Sequence, residues 1–190
     1  MNDLSQLVDE ARTCTACPLH RQRKQVAIYR GVEAPEILWV GQSPGEDEDR
    51  VGLPFVGRSG QLLHRMLAQH GLVDVSGFIN VVNCHPAHNL YLPTYAVTCR
   101  GFLERKLSHL SPKMIVSVGK DADRALEELW EEVVGRKEPP GFISVLRGYV
   151  HHPSYILRNG GDKESNPSYR DWQRQFVHVT ALRSGLSGVR

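Results

Sequence analysis

Ile37-Leu38-Trp39-Val40-Gly41-Gln42-Ser43-Pro44-Gly45 is the stretch that settles the fold class. Four apolar residues in a row run into a glycine and a proline-containing turn, the pattern of a short strand buried on both faces. Two more such runs follow: Phe78-Ile79-Asn80-Val81-Val82 and Met114-Ile115-Val116-Ser117-Val118-Gly119. Between them the apolar spacing becomes helical. Leu62, Leu63, Met66 and Leu67 share one face, and Gly71 stops that helix. Phe102, Leu103, Lys106, Leu107 and Leu110 give a second face before Pro112, and residues 121–134 give a third. The N-terminal MNDLSQLVDEAR reads as a helix start, and residues 166–182 as a last helix. Phe142–Leu146 and Tyr149–His151 read as short strands, and 158–167 as a polar loop. Strands alternating with helices predict a mostly parallel sheet with helices on both sides. Ligands then bind beyond the carboxyl ends of the strands. That points to Gly41 onward, to Asn80–Pro86 and to His151–Ser154.

The chain has 190 residues, 41% hydrophobic and 23% charged. This suits one domain with a real core, spanning residues 1–190 with 1–3 and 184–190 expected to fray. No run of about 18 apolar residues exists, which excludes a membrane-spanning helix. The N-terminus lacks the basic-then-apolar pattern of a secretory signal, so a cytoplasmic protein is expected; a monomer is the default for its oligomeric state. The formal net charge is only +2. Arg12, His20, Arg21, Arg23, Lys24 and Arg30 cluster early; Arg100, Arg105, Lys106, His109 and Lys113 form a second group. A DNA-facing patch and ordinary solvated helix faces both fit, and charge alone favours the second.

All four cysteines fall in a suggestive order. Cys14 and Cys17 form a C-x-x-C unit; Cys84 follows after 66 residues and Cys99 after 14 more. Cytosolic chains rarely keep disulfides, so a metal or redox role is the default. Four thiolates suit tetrahedral zinc or an iron–sulfur cluster, and spacing alone does not choose between them. Four unrelated buried cysteines is the remaining alternative.

The strand ends carry candidate chemistry. The turn Gly41–Asp49 and the segment Gly52–Gly60 lack the dinucleotide glycine pattern and the lysine of a phosphate loop. They offer exposed backbone N–H groups, a rigid turn and one ring, Phe55. Such a site clamps a flat base by stacking and edge hydrogen bonds. Asn80 carries a donor and an acceptor side by side, suited to reading a base edge or to satisfying nearby backbone. In His151-His152-Pro153-Ser154-Tyr155-Ile156-Leu157-Arg158, a histidine before proline can donate to charge developing on a leaving base, or be structural. The apolar residues after it either wedge into a stack, as Leu157 would, or belong to the core. Ser154, Leu157, Arg158 and Lys120 are the candidate DNA contacts, Lys120 as a phosphate contact.

These elements together resemble the iron–sulfur, family-four uracil-DNA glycosylases. The shared motifs are Cys14–Leu19 (C-T-A-C-P-L), Gly41–Asp49 (G-Q-S-P-G-E-D-E-D), Gly52–Leu63 (G-L-P-F-V-G-R-S-G-Q-L-L), Asn80–Pro86 (N-V-V-N-C-H-P) and His152–Asn159 (H-P-S-Y-I-L-R-N). The resemblance runs from about residue 4 to about residue 182. It implies a three-layer α/β/α sandwich around a central four-stranded parallel sheet. It implies a [4Fe-4S] cluster held by Cys14, Cys17, Cys84 and Cys99. It implies that Phe55 stacks on a flipped base, Asn80 reads its edge, His152 donates to its oxygen, and the turn from Gln42 and Ser43 to Gly45 faces base and sugar. DNA is the implied partner, and a monofunctional glycosylase the implied activity.

Two departures stand out. The family carries glutamate where this chain has Gln42, a neutral side chain that orients water or reads a base edge but cannot act as a carboxylate. Ser43 beside it can help hold such a water. Cys84-His-Pro-Ala-His-Asn-Leu-Tyr-Leu-Pro93 replaces a family segment containing arginines with His85, His88 and three apolar residues. These changes keep two alternatives beside uracil excision: removal of a 5-modified pyrimidine by the same kind of enzyme, as from foreign DNA, and a non-catalytic iron–sulfur DNA-binding module.

Overall fold

The computed structural model describes residues 4–134, 136, 141 and 145–187. Its strands are β1 (Arg30–Gly31), β2 (Ile37–Gly41), β3 (Ser76–Asn80), β4 (Met114–Val118) and β5 (Leu146–Val150). Its helices are α1 (Leu4–Thr13), α2 (Glu46–Val51), α3 (Arg58–Gln69), α4 (Pro93–Leu110), α5 (Lys120–Val134), α6 (Pro153–Arg158) and α7 (Pro167–Ser187). The sheet has five strands in the order β1-β3-β2-β4-β5. The expected four-stranded parallel sheet is its larger part, β3-β2-β4-β5. The correction is β1, a two-residue antiparallel edge pairing Arg30 with Phe78 and Gly31 with Gly77. Two residues carry no periodicity, so this strand leaves no mark in the sequence.

Alternation along the strands builds two cores. Ile37, Trp39, Phe78, Met114, Val116 and Val118 face α3, α6 and α7. Leu38, Val40, Ile79 and Ile115 face α1, α4 and α5. Every residue of β2, β3 and β4 is buried, as a sheet covered on both faces requires. On the first side Trp39 stacks on Phe176 at 5.4 Å, and Trp172 meets the same ring edge-on at 5.1 Å. The Trp39 indole donates to Ser76 Oγ at 2.8 Å, so its polar end is satisfied in the core. This is a three-layer α/β/α arrangement.

Other expectations shift by a few residues. The two short C-terminal strands are one, β5; the expected Phe142–Leu146 strand falls mostly on residues outside the described set. Strand β3 begins at Ser76 and ends at Asn80, so Val81 and Val82 belong to the following turn. Helix α7 continues through Ser187, past the expected fraying at 184; residues 1–3 and 188–190 lie outside the described set. Among the described residues no helix is long and apolar enough to cross a membrane.

The second basic group is largely paired with acidic side chains or buried. Arg100 pairs with Glu132, Arg105 with Glu10 and Lys113 with Glu36, and Lys106 is wholly buried. In the first group, Arg23 turns inward to Cys84 Sγ at 3.3 Å, and the Arg30 guanidinium lies 4.6 Å over the Phe78 ring.

Candidate active site

Strand order reverses at β2, which has β3 on one side and β4 on the other. The loops leaving β2 and β4 therefore diverge and open a crevice at the carboxyl ends of the strands. A cleft of about 580 Å³ lies there. Gln42, Ser43, Phe55, Asn80, Lys120, His152, Ser154 and Arg158 all line it. Residues from four distant parts of the chain thus meet at the carboxyl ends of the strands.

Close approach at Gly41 builds the floor. A Cβ there would collide with Asn80 Oδ1 and come within 2.7 Å of Phe55 Cζ. Phe55 and the Asn80 amide therefore face each other across a bare backbone position. Phe55 has φ of 56°, the left-handed region that a bulky residue rarely adopts. Gly60 permits this, because a Cβ at Gly60 would overlap the Phe55 carbonyl. The Phe55 ring tilts against Phe78 at 5.7 Å and is 6% exposed.

Glu48 ties together two loops that line the cleft. Its carboxylate accepts from Gly45 N at 3.0 Å and from Gly57 N at 2.7 Å. One buried side chain thus fixes the turn after β2 and the start of α3. Asp49 does the same for an upstream segment, accepting from the backbone N–H groups of Lys24 and Gln25. In the sequence Glu46–Asp49 reads as part of the turn motif, with no role for Glu48 itself. The missed signal was an acidic side chain three residues after Gly45, the capping-box position of a helix start.

His152 caps α6, and its Nδ1 accepts the backbone N–H of Ser154 at 3.2 Å. The Ser154 hydroxyl lies 2.8 Å from the same nitrogen. A nitrogen that accepts a backbone N–H is unprotonated, so the proton of the neutral ring sits on Nε2. Burial pushes the pKa of His152 down to about 4, with Arg158 adding to the shift and Glu48 and Asp121 opposing it. The imidazole is neutral near pH 7 and presents one donor.

The candidate DNA contacts divide. Lys120 opens α5 and lines the cleft with Arg158, and Arg58 at the start of α3, missed in the sequence, joins them. Ser154 spends its polar groups on His152. Leu157 packs against the core, and Ile156 is fully buried; Tyr155, 42% exposed, is the open side chain of that segment. His85 reaches back to the turn after β2, its Nδ1 lying 2.9 Å from Pro44 O. A second cavity of about 340 Å³, lined by Gln42, Tyr91, Pro93, Asp121, Arg124 and Glu128 among others, adjoins the cleft at Gln42.

Behind this wall, Cys14, Cys17, Cys84 and Cys99 line one small cavity together with Arg23, Asn83 and Phe102. None is in a disulfide. Among the described residues no three His, Cys, Asp or Glu side chains form a tight group around a single ion. Burial raises the pKa of Cys84 and of Cys99; hydrogen bonds from Arg23 and from the Asn83 backbone act the other way.

An aromatic ring, an amide with paired donor and acceptor, and a neutral imidazole donor line one cleft, a set of groups that can take a flat heterocycle. The chain belongs to the uracil DNA glycosylase superfamily, whose family model matches residues 28–174. It is 37% identical over 164 residues to a type-4 uracil-DNA glycosylase of Thermotoga maritima, covering 83% of this chain and 85% of that one. It is 36% identical over 167 residues to the type-4 enzyme of Pyrobaculum aerophilum, covering 82% and 85%. The type-4 enzyme of Archaeoglobus fulgidus is 37% identical over 133 residues, 69% of this chain and 67% of its own.

Proposed function

We propose that this chain is a monofunctional DNA glycosylase that hydrolyses the N-glycosidic bond of a flipped-out uracil in DNA. The convergence of Phe55, Asn80 and His152 on one switch-point cleft carries the reading, and relatives with that printed activity support it. The extruded base lies against the Phe55 ring, and the Asn80 amide pairs with its edge. As the bond to C1′ lengthens, negative charge gathers on the base and positive charge on the sugar. The His152 Nε2–H donates to the base oxygen, where the charge appears. Its Nδ1 is already held by Ser154, so the ring does not reorganise during the step. Gln42 and Ser43 orient the water that adds to the sugar. Asp121, Glu46 and Asp47 line the cleft and supply the negative field that Gln42 lacks. Lys120, Arg158 and Arg58 meet the phosphates, and Tyr155 is the exposed ring nearest them in sequence.

Cys14, Cys17, Cys84 and Cys99 hold a [4Fe-4S] cluster in this reading. The donor set fits: four thiols around one cavity, with no carboxylate or imidazole among its lining residues. A cubane takes one sulfur at each of four irons, so its ligands ring a cavity rather than converge on a point. When bound, the group supplies order, not redox or acid–base chemistry: it ties the N-terminal segment to the loop after β3 and to α4. A single domain over residues 1–190, acting as a cytoplasmic monomer, completes the proposal.

The test is excision assayed on uracil-containing oligonucleotides followed by alkali cleavage. Strand breaks at uracil support the reading, and their absence with purified, iron-replete protein overturns it. A second reading, a 5-modified pyrimidine as the target, has the cavity beyond Gln42 in its favour, because it leaves room next to the base site. Breaks at a 5-substituted base but not at uracil would select it.

A further inference from the structure

Among the described residues Lys106 is the one fully buried lysine, at 0% exposure, in the middle of α4. Its Nζ donates to the backbone O of Asn80 at 2.6 Å and to Asn83 Oδ1 at 2.7 Å. Both acceptors are neutral, and no carboxylate pairs with it among the described residues. A buried ammonium without an opposite charge is strongly disfavoured. Its acceptor Asn83 lines the four-cysteine cavity with Cys84 and Cys99, and the sulfurs of those two cysteines favour the protonated lysine against the burial that pushes its pKa down to about 8. Protonated thiols provide no such charge; iron-bound thiolates do. The two acceptors belong to the two sites in question. Asn80 is the proposed base reader, and Asn83 precedes a proposed iron ligand.

We infer that Lys106 is a positioning residue that couples the four-cysteine site to base reading: the thiolates hold its ammonium in the core, and the ammonium holds the Asn80 carbonyl. The inference rests on the thiolate-ligated reading given under Proposed function. A second strut supports the same coupling, since His85, the neighbour of Cys84, holds Pro44 O in the base-facing turn. Loss of iron then reaches the base site through Lys106 as well as through the backbone.

The test compares the full chain with Lys106→Met, which removes charge and donors, and Lys106→Gln, which keeps neutral donors. Each protein is reconstituted anaerobically with iron and sulfide. Iron content, visible absorbance during chelator challenge, and kcat at saturating uracil-containing single strand are then read. Lys106→Met is expected to lose iron faster and to fall about tenfold or more in kcat. Lys106→Gln is expected to recover most of kcat while still losing iron faster. If the unsubstituted protein takes up no iron, the thiolate reading fails and the coupling with it. If that protein is iron-replete and the folded fraction of Lys106→Met matches it in kcat and iron retention, Lys106 is merely a core residue and the inference alone falls.

Discussion

The backbone N–H of Ser154 donates to Nδ1 of His152 at 3.2 Å, and this one bond selects the tautomer that faces the cleft. It places the donor on Nε2 before any substrate arrives. His152→Ala removes a preorganised donor from the position of developing charge, so kcat is expected to fall by about a hundredfold or more with little change in DNA affinity. Single-turnover excision and a separate binding titration check this.

The same burial has a consequence for stability. The His152 pKa in the fold is about 4, below its ordinary 6.5. Between those values the unfolded chain takes up a proton that the folded chain refuses. Stability is therefore full above about 6.5, falls as pH drops towards about 4, and loses no more from this group below that. His152→Gln is expected to flatten that part of the stability curve, measured as denaturant midpoints above and inside the window. An unchanged slope would mean the ring is solvated.

Gly41→Ala is expected to abolish base binding without unfolding the protein. The new methyl would collide with Asn80 Oδ1 and crowd Phe55 Cζ, pushing apart the two groups proposed to hold the base. Because it sits at the open end of β2, the sheet can keep its register. Thermal melting within a few degrees of the native protein, with excision lost, is the expected pair of results; retained excision would show that the ring and amide need not meet there.

Much of this was legible in the sequence because buried parallel strands are apolar runs that stop at glycine. Ile37–Gly41 and Met114–Val118 announce themselves this way, and the strand-end rule then finds Gln42, Asn80 and His152. The edge strand Arg30–Gly31 was illegible, since two residues have no period. Lys106 looked like one of a basic group because helical spacing shows which face a side chain takes, but not that its charge is buried. Leu157 stays open to both readings for a related reason: an apolar side chain after a strand suits core and DNA equally, and it lies partly buried against the core.

Glu48→Gln tests the clamp between the two cleft-lining loops. A glutamine has one acceptor oxygen where the carboxylate has two, so either Gly45 N or Gly57 N is left facing an amide N–H. The expected cost is about 1–3 kcal/mol of stability, with a further loss of kcat as the turn and Phe55 come out of alignment. Denaturant unfolding and excision kinetics on the same preparation separate the two effects; unchanged kcat would make Glu48 a structural clamp alone.

Gln42→Glu asks what the neutral side chain does. A carboxylate at the end of β2 would stabilise positive charge on the sugar and activate the attacking water. Against this stands the charge already present, because Asp121, Glu46 and Asp47 line the same cleft and would repel it. In a cleft already this acidic, a new carboxylate close to the sugar still contributes most, since Coulomb energy rises as distance shrinks. Uracil excision is therefore expected to speed up, by about tenfold or more, with the rate rising as the introduced carboxyl group ionises. Equal rates for the two proteins at all pH values would show that glutamine already does what the reaction needs, by orienting water rather than by charge.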